Sequence, residues 1–198
     1  MRRIAYISAL TFLLAAAGGC FFEPRAPELP AGQQIVYLNQ SLPENVWENI
    51  QTSLRFTDAS GYDSQIGEEF IYEPDSATES MAPGYDWTNW NRTLELAFIN
   101  DLYNNVNSIE ANLRFEEIYT EWEGSRAELR YTYKVDVTGS DGSVVTYMAE
   151  VEVEFIIEGA EWVLTRWYDV QQESETEGGA LNPTLGSLRA AFALSGGG

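Results

Sequence analysis

The sequence predicts an α+β fold in which a curved antiparallel sheet of four to six strands wraps around helices that precede it. The first observation is a period-two alternation of apolar and polar residues through Val106 to Gln172, typical of strands with one buried face. The second is the helical spacing of apolar residues in the segments before it. The third is a pair of Gly-containing turns, at 139–142 and 158–161, that would join neighbouring strands of a four-strand meander.

Two long helices are expected before the sheet. Apolar residues recur at helical spacing after Ser41, which can cap a helix that ends near Asp58. A short helical turn and a strand over 69–72 should follow. Residues 73–85 are rich in Pro, Gly, Ser and Thr and are expected to form a loop. The second long helix, over 87–104, carries two neighbouring apolar stripes, so it should be buried on more than one side.

The turns determine which face of each strand is apolar, because a shift of one residue turns a strand over. With a two-residue hairpin at 159–160, Arg166 would lie opposite Val153 on the interior face. The last strand would direct five residues to that face: Trp162, Leu164, Arg166, Tyr168 and Val170. Three tyrosines of the other strands share it: Tyr131, Tyr133 and Tyr147.

The charge of the chain excludes some partners. There are 31 acidic residues against 11 basic ones, a formal net charge of −20 at pH 7. Nucleic-acid phosphates and anionic lipid headgroups would be repelled, so neither is expected to bind through charge. The acidic balance suits solubility, and a cation-binding role is the alternative.

Missing residue types exclude several chemistries. The chain has no His and one Cys, Cys20. An intrachain disulfide, a Ser-His-Asp or Cys-His nucleophile system and a zinc site of His and Cys ligands therefore cannot form. Residues 58–63 offer oxygen ligands and a Gly but lack the twelve-residue calcium pattern that ends in Glu. No metal and no cofactor is expected.

The first twenty residues resemble a bacterial lipoprotein signal with its lipobox. Two Arg residues follow Met1, residues 4–14 are largely apolar but too short to span a bilayer, and small residues lead to Cys20. The resemblance implies cleavage before Cys20 and lipidation of that residue. It also points to the outer membrane, because Phe21 and not Asp follows the Cys. Ala17 stands where the family favours Leu, and an ordinary secretory signal is the alternative.

The chain is thus predicted to have four parts. Residues 1–19 form the signal peptide, and residues 20–40 form the lipidated Cys and a Pro-rich tether. Residues 41–172 form the folded domain. Residues 173–198 hold an acidic linker, a short amphipathic helix that should pack back on the domain, and a loose tail. Three apolar residues mark this helix: Leu185, Leu188 and Phe192.

The order of helices and strands resembles the nuclear-transport-factor-like cone fold, shared by ketosteroid isomerase, scytalone dehydratase and the SnoaL-like polyketide cyclases. The resemblance rests on this order and on a final strand with Trp162, Arg166, Trp167 and Asp169. It implies a cavity between the sheet and the helices. Together with the lipobox, it is similar to bacterial lipoproteins that carry this domain. The alternative fold is an open antiparallel sheet with helices on one side.

The resemblance also shows what an enzyme of this fold would need. Scytalone dehydratase relies on His, which is absent here, and the isomerases use a Tyr with two carboxylic acids in an apolar pocket. The predicted interior offers Tyr131, Tyr133, Tyr147 and Tyr168, but no Asp or Glu. No catalytic residue is therefore predicted.

Arg166 is the candidate ligand-binding residue, because an unpaired buried guanidinium is costly. In a functional cavity it would bind an anionic or carbonyl-bearing ligand, with the four tyrosines lining the site. Alternatively, it pairs with a carboxylate of a covering helix, such as Glu95 or Asp101, or a slip in register exposes it.

We therefore expect a lipid-anchored cell-envelope protein that binds a small ligand or a protein and is not an enzyme. The alternatives are a small isomerase-, dehydratase- or cyclase-type enzyme that uses Tyr and Arg166, and a purely structural envelope component. The membrane partner would be engaged through lipidated Cys20. The convex sheet face, with Trp122 and Trp167, is a candidate surface for a homodimer.

Overall fold

The computed structural model describes residues 34–170 and 182–196, with the backbone alone for residues 115, 116 and 118–122. Its helices are α1 (Pro43–Phe56), α2 (Ala59–Asp63), α3 (Ser76–Met81), α4 (Arg92–Asn105) and α5 (Leu185–Leu194), with a 3-10 turn at Trp87–Asn89. Its strands are β1 (Ile66–Glu73), β2 (Val106–Glu123), β3 (Arg126–Gly139), β4 (Val144–Glu158) and β5 (Glu161–Val170). The predicted signal peptide, Cys20 and the acidic linker lie outside the described residues.

The strands form one curved sheet in the order β1-β5-β4-β3-β2. Strands β2 to β5 are antiparallel neighbours, as the predicted meander requires, whereas β1 pairs in parallel with β5. The predicted α+β fold class is therefore confirmed, and the short strand expected at 69–72 is the longer edge strand β1.

Helix α1 forms where the apolar spacing predicts it. Its face with Trp47 and Ile50 is fully buried, and Trp47 Nε1 donates a hydrogen bond to the Leu113 carbonyl of β2 at 3.2 Å. The predicted cap is wrong, because the helix begins one residue later than Ser41 would require. Leu42 is the N-cap, and the Ser41 hydroxyl hydrogen-bonds to a side chain that precedes it.

The region predicted as a loop contains helix α3. Its start is fixed by Asp75, whose Oδ1 accepts a hydrogen bond from the Thr78 backbone N–H at 2.8 Å. The loop prediction is wrong because Ser and Thr are common in loops but also follow Asp caps in the first turns of helices. The helix predicted over 87–104 is interrupted at Trp90, and Asn91 caps α4 instead. The Trp90 side chain is nevertheless fully buried.

Strand β5 contains a β-bulge that the sequence did not reveal. Leu164 pairs with Phe155 and Arg166 pairs with Glu154, so Thr165 is an extra residue without a partner on β4. A bulge of this kind inserts one residue into one strand and reverses the face of every residue after it. The predicted inward faces are therefore correct for β5 before the bulge and wrong after it.

The reversal moves Trp167 and Asp169 to the interior, where they pair with Val153 and Val151. Both side chains are buried. It moves Arg166 and Tyr168 to the outer face, opposite Glu154 and Glu152. The interior of the cone thus gains an acidic group and loses the predicted guanidinium.

The C-terminal helix α5 packs on the domain, as predicted. The segment before it runs beside β4, where the Met148 N–H donates to the Pro183 carbonyl at 3.0 Å. The hydroxyl oxygens of Thr184 and of Thr78 in α3 are 3.3 Å apart. Helix α5 therefore lies across the opening of the cone between α3, α4 and β4. No helix in the described ranges has the length and apolar run that a membrane span needs.

Candidate functional site

Three charged side chains meet inside the cone, although each comes from a different element. Glu95 lies in the first turn of α4, Asp169 follows the bulge of β5, and Arg189 lies in α5. Glu95 and Asp169 are 0 % exposed and Arg189 is 1 % exposed. Buried charges of this kind are retained in proteins only when they are paired and hydrogen-bonded.

Glu95 accepts four hydrogen bonds. Arg189 contributes two of them, from Nη2 to Oε1 at 2.6 Å and from Nε to Oε2 at 2.9 Å. The Tyr62 hydroxyl donates to Oε1 and Trp90 Nε1 donates to Oε2, each at 2.8 Å. The carboxylate is therefore held from two sides, and its bidentate pairing with Arg189 is the geometry that guanidinium favours.

Asp169 is held by neutral donors. The Tyr133 hydroxyl donates to Oδ1 at 3.2 Å, and Trp167 Nε1 donates to the same oxygen at 2.9 Å. The Tyr72 hydroxyl donates to Oδ2 at 3.1 Å. Arg189 Nη1 lies 3.9 Å from Oδ2, so the two charges attract each other without a hydrogen bond.

Aromatic rings surround the guanidinium of Arg189. Its Cζ lies 4.4 Å from the ring centroid of Tyr72, 4.9 Å from that of Trp167 and 5.1 Å from that of Phe98. Distances below about 6 Å permit cation–π attraction, which strengthens when water is excluded. Nη1 is buried and makes no hydrogen bond. The pocket therefore suits a cation, but it offers no acceptor to the Nη1 donor of Arg189.

Burial shifts the pKa values of Asp169 and of two tyrosines in this cluster. Burial raises the pKa of Asp169 above its usual range, although the charge of Arg189 and the hydrogen bond from Trp167 act in the opposite direction. Burial also raises the pKa of Tyr72 and Tyr133 well above the usual value, and the charge of Asp169 adds to both shifts. The tyrosines therefore remain protonated donors at neutral pH.

Among the described residues, the cone interior around Arg189 is almost filled. The space left beside Arg189 amounts to about 10 Å³, enough for about one water molecule at most. The Leu185 N–H of α5 also donates to the Tyr133 hydroxyl at 2.7 Å, which brings the start of the helix against the cluster. Helix α5 therefore occupies the space in which a cone of this kind could hold a ligand.

Three of the predicted pocket tyrosines do face the interior. Tyr131, Tyr133 and Tyr147 are buried. Only Tyr133 belongs to the charged cluster described above, whereas the ring of Tyr131 stacks on Trp47 with centroids 6.4 Å apart. The sequence predicts that the tyrosines line one site, but in the structure they belong to different groups of contacts.

The predicted positions of Arg166 and Tyr168 are wrong, because the bulge places both on the outer face. Arg166 Nε and Nη2 donate to the two carboxylate oxygens of Glu73, each at 2.9 Å, and Nη1 donates to Glu152 at 3.3 Å. Its guanidinium Cζ lies 5.6 Å from the Tyr168 ring centroid. The anticipated pairing of a buried Arg with Glu95 exists, but the Arg is Arg189.

An open groove lies outside the cone, where β1 and β5 meet the 3-10 turn and α3. Its volume is about 440 Å³. The walls combine apolar or aromatic surface with carboxylates: Ile71, Tyr72, Pro74, Trp87 and Tyr168, with Glu73, Glu79 and Thr88. Tyr168 is thus a predicted site residue that borders this groove, and Arg166 borders a second groove of about 250 Å³.

Comparisons with known proteins identify the fold. No family model and no curated protein matches the sequence. A protein of unknown function from Mycobacterium tuberculosis has a similar structure, with a TM-score of 0.54, 12 % identity and coverage of 78 % of this chain and 85 % of that one. A proposed dehydratase of the NTF2-like family from Streptomyces avermitilis has a TM-score of 0.51 at 13 % identity, covering 64 % of this chain and 93 % of that one. The fold is that of the NTF2-like proteins.

A proposed scytalone dehydratase from Novosphingobium aromaticivorans shares the NTF2-like fold with this chain. The TM-score is 0.53 at 10 % identity, and the match covers 71 % of this chain and 89 % of that one. At such low identity the comparison establishes the architecture alone.

The outer face of the NTF2-like sheet is charged where it is described. Arg130 Nη2 pairs with Glu150 at 2.7 Å, and Arg126 pairs with Glu154. Trp167, predicted on this face, is buried inside the cone, again because of the bulge. The side chain of Trp122 lies outside the described residues. The proposed homodimer surface thus lacks one of the two tryptophans that suggested it.

No cluster of potential metal ligands occurs in residues 34–170 and 182–196. The segment compared with a calcium loop has another role. Asp58 caps α2 by accepting from the backbone N–H groups of Ser60 and Gly61, each at 3.1 Å. Asp63 pairs with Arg92 of α4.

Sequence reasoning missed the cluster of Glu95, Asp169 and Arg189. Two weak signals were present: Glu95 interrupts an apolar stripe of α4, and Arg189 interrupts an apolar run of α5. A single charge within an apolar stripe indicates a buried pair when a second such charge of opposite sign exists. Asp169 carried no comparable signal, because its face depends on the bulge.

Proposed function

We propose that this chain is a lipid-anchored cell-envelope protein whose NTF2-like cone is a binding module and not an enzyme. One observation carries the proposal. The guanidinium of Arg189 occupies the cone interior, so neither Glu95 nor Asp169 faces space for a substrate, while the groove beside Tyr168 is open.

The groove has the features of a site for a small ligand. Its volume of about 440 Å³ falls within the range of ligand pockets, and its walls are mainly apolar with a few polar groups. Glu73 is engaged by Arg166, which fixes one carboxylate beside the aromatic wall. A ligand with an apolar body and a hydrogen-bond donor would suit this surface. The nearly filled interior alone would equally suit a purely structural component, and the groove is the observation that supports the binding module over that alternative.

A fragment screen tests the groove. Ligands found by NMR titration of the protein that lacks residues 1–20 should lose at least tenfold in affinity in Tyr168→Ser, because the aromatic wall is removed. Val144→Ser is the matched control, since Val144 is 61 % exposed and does not line the groove. Fragments that bind equally to both variants, or no binding at all, would contradict this part of the proposal.

The anchor rests on the lipobox-like segment before Cys20, the sole Cys of the chain. We expect the mature protein to begin at Cys20 with acyl chains on that residue and to fractionate with the outer membrane. Mass spectrometry of protein purified from bacterial membranes measures both the start and the lipid mass. A Cys20→Ser chain should remain unprocessed, and an unlipidated mature form of the original chain would contradict the anchor.

A second candidate is a small isomerase- or dehydratase-type enzyme, favoured by Asp169. This carboxyl group has a raised pKa and hydrogen bonds from two tyrosines, features that suit an acid–base group. It would require α5 to leave the cone. Turnover of enolisable ketones or β-hydroxy carbonyl compounds by Gly186→Val, lost in the double variant with Asp169→Asn, would establish the enzyme over the binding module.

A further inference from the structure

Apart from Arg189, the side chains that hydrogen-bond to the two buried carboxylates come from outside α5. Glu95 keeps hydrogen bonds from Tyr62 and Trp90, and Asp169 keeps those from Tyr72, Tyr133 and Trp167. These donors lie in α2, β1, β3, β5 and the segment before α4. The two carboxylates therefore keep five donors that do not belong to α5, and α5 supplies the guanidinium between them.

What lies between them has to be a cation. Two buried carboxylates held by neutral donors leave negative charge in an apolar interior, where an uncompensated ion is strongly unfavourable. The ring faces of Tyr72, Trp167 and Phe98 point their negative quadrupoles toward the same space. The arrangement is therefore a receptor for a positive group, which Arg189 occupies.

The tethered guanidinium does not fill this receptor ideally. Its Nε and Nη2 are satisfied by Glu95, whereas Nη1 is buried without a hydrogen bond and stays 3.9 Å from Asp169. The backbone of α5 fixes where the side chain starts. A guanidinium that is not attached to α5 could move closer to Asp169 and use the donor that Arg189 leaves unsatisfied.

Helix α5 is a separable part of the structure. It follows the completed sheet in the chain, and its seat depends on Gly186, where a Cβ atom would overlap the hydroxyls of Tyr72 and Thr78. The seat also includes the buried ion pair and the buried side chains of Leu185 and Phe192. A ligand that takes the cation pocket would have to release these contacts together.

We propose that the cone interior is a binding site for a guanidinium-bearing ligand with a small apolar body, and that Arg189 is its tethered occupant, which such a ligand displaces. This site lies on the inner side of Tyr72, which also lines the outer groove, and it goes beyond the proposed function. The covalent connection raises the local concentration of the Arg189 guanidinium, so an external ligand binds the original chain more weakly than a variant without this side chain.

Chemical complementation tests the receptor. Arg189→Ala removes the atoms that N-ethylguanidinium reproduces, and N-ethylurea is its neutral isostere. With a Kd of about 1 mM, ~10 mM N-ethylguanidinium should raise the melting temperature of Arg189→Ala by about 4 °C. N-ethylurea should not, and the double variant with Glu95→Gln should respond to neither. Should Arg189→Ala be unfolded alone, refolding driven by N-ethylguanidinium and not by N-ethylurea is the expected result.

Equal responses of Arg189→Ala to both compounds, or no response to either, would contradict the proposal that the cone interior binds a guanidinium group. Displacement is then tested in the full chain and in Gly186→Val, using N-phenethylguanidinium with N-phenethylurea as control. We expect hydrogen exchange of residues 185–194 to rise at least threefold with the guanidinium compound alone, and at lower concentration in Gly186→Val. Unchanged exchange of α5 in both proteins, at concentrations that stabilise Arg189→Ala, would show that Arg189 is a fixed structural residue.

Discussion

Arg189 and Glu95 form a bidentate ion pair inside the cone, with Nη2–Oε1 and Nε–Oε2 distances of 2.6 and 2.9 Å. The two residues are 94 positions apart, so the pair links the last helix of the domain to α4. It also neutralises a carboxylate in the interior of the cone. The pair therefore contributes to the docking of α5 and fills the space beside Glu95.

Replacement by Met should lower the free energy of unfolding much more at Arg189 than at Arg166. Arg189→Met leaves Glu95 buried without its charge partner and should cost about 3–5 kcal/mol in the free energy of unfolding. Arg166→Met should cost no more than about 1 kcal/mol, because 26 % of the Arg166 side chain is exposed and its partners are screened by solvent. Urea denaturation of both variants measures the difference.

The double variant Glu95→Gln with Arg189→Met serves as the control for charge. It should recover more than half of the loss, since the charge of Glu95 is removed and Asp169 keeps its three neutral donors. Equal losses for Arg166→Met and Arg189→Met, or a double variant no more stable than Arg189→Met, would contradict the assignment of the buried pair.

The close approach at Gly186 should make this position sensitive to a single methyl group. Gly186→Ala places a Cβ atom against the hydroxyls of Tyr72 and Thr78. We expect a loss of about 1–3 kcal/mol, because overpacking of a buried contact forces the helix to shift. Hydrogen exchange should increase in residues 185–194 and change little in β3 and β4.

Ala191→Val is the matched control for Gly186→Ala, because Ala191 is an exposed position of the same helix. It should cost only a few tenths of a kcal/mol, about the difference in helix propensity. A Gly186→Ala protein that is as stable as the original, with unchanged exchange of α5, would show that the helix is not seated by this contact.

Asp169 should make stability fall as pH rises. Its native pKa is raised above the value of about 3.9 expected in the unfolded chain. Between these two values the native state binds more protons than the unfolded state, so stability is greatest below the unfolded pKa and decreases as pH passes through the native pKa. Asp169→Asn removes this contribution.

The free energy of unfolding of both proteins, measured by urea denaturation from pH 4 to pH 8, isolates the contribution of Asp169. The advantage of the original chain over Asp169→Asn should shrink with increasing pH. Carboxylates far from Asp169 contribute equally in the two proteins and cancel in the difference. An advantage that grows with pH would mean that Arg189 and the donor hydrogen bonds outweigh burial.

The sequence predicted the architecture because period-two alternation and helical spacing are properties of single elements. The strands β2 to β5, helix α1, the burial of Trp90 and the docking of α5 are examples. Each depends on the burial of one apolar face, which a local pattern records.

The site could not be predicted in the same way. Which residues form the site depends on Thr165, the extra residue of the bulge. Because of it, Asp169 faces the interior and Arg166 does not. Thr165 is polar, and the residues on either side of it alternate as in a regular strand. The irregular pairing between Ile66 and Ile71 of β1 lies beside this bulge. The bulge thus depends on contacts among β1, β4 and β5, which no single segment encodes.

Cysteine labelling tests the bulge directly. In a chain with Cys20→Ser, Arg166→Cys should react with a maleimide in the folded protein at a rate close to that in urea, because position 166 lies on the outer face. Trp167→Cys should react at least a hundredfold more slowly when folded, since position 167 is 1 % exposed. Val163→Cys and Leu164→Cys precede the bulge and are both buried, so they provide slow references within the same strand. A register without the bulge predicts the opposite order, with position 166 protected and position 167 reactive, and that result would remove Asp169 from the cone and with it the receptor for Arg189.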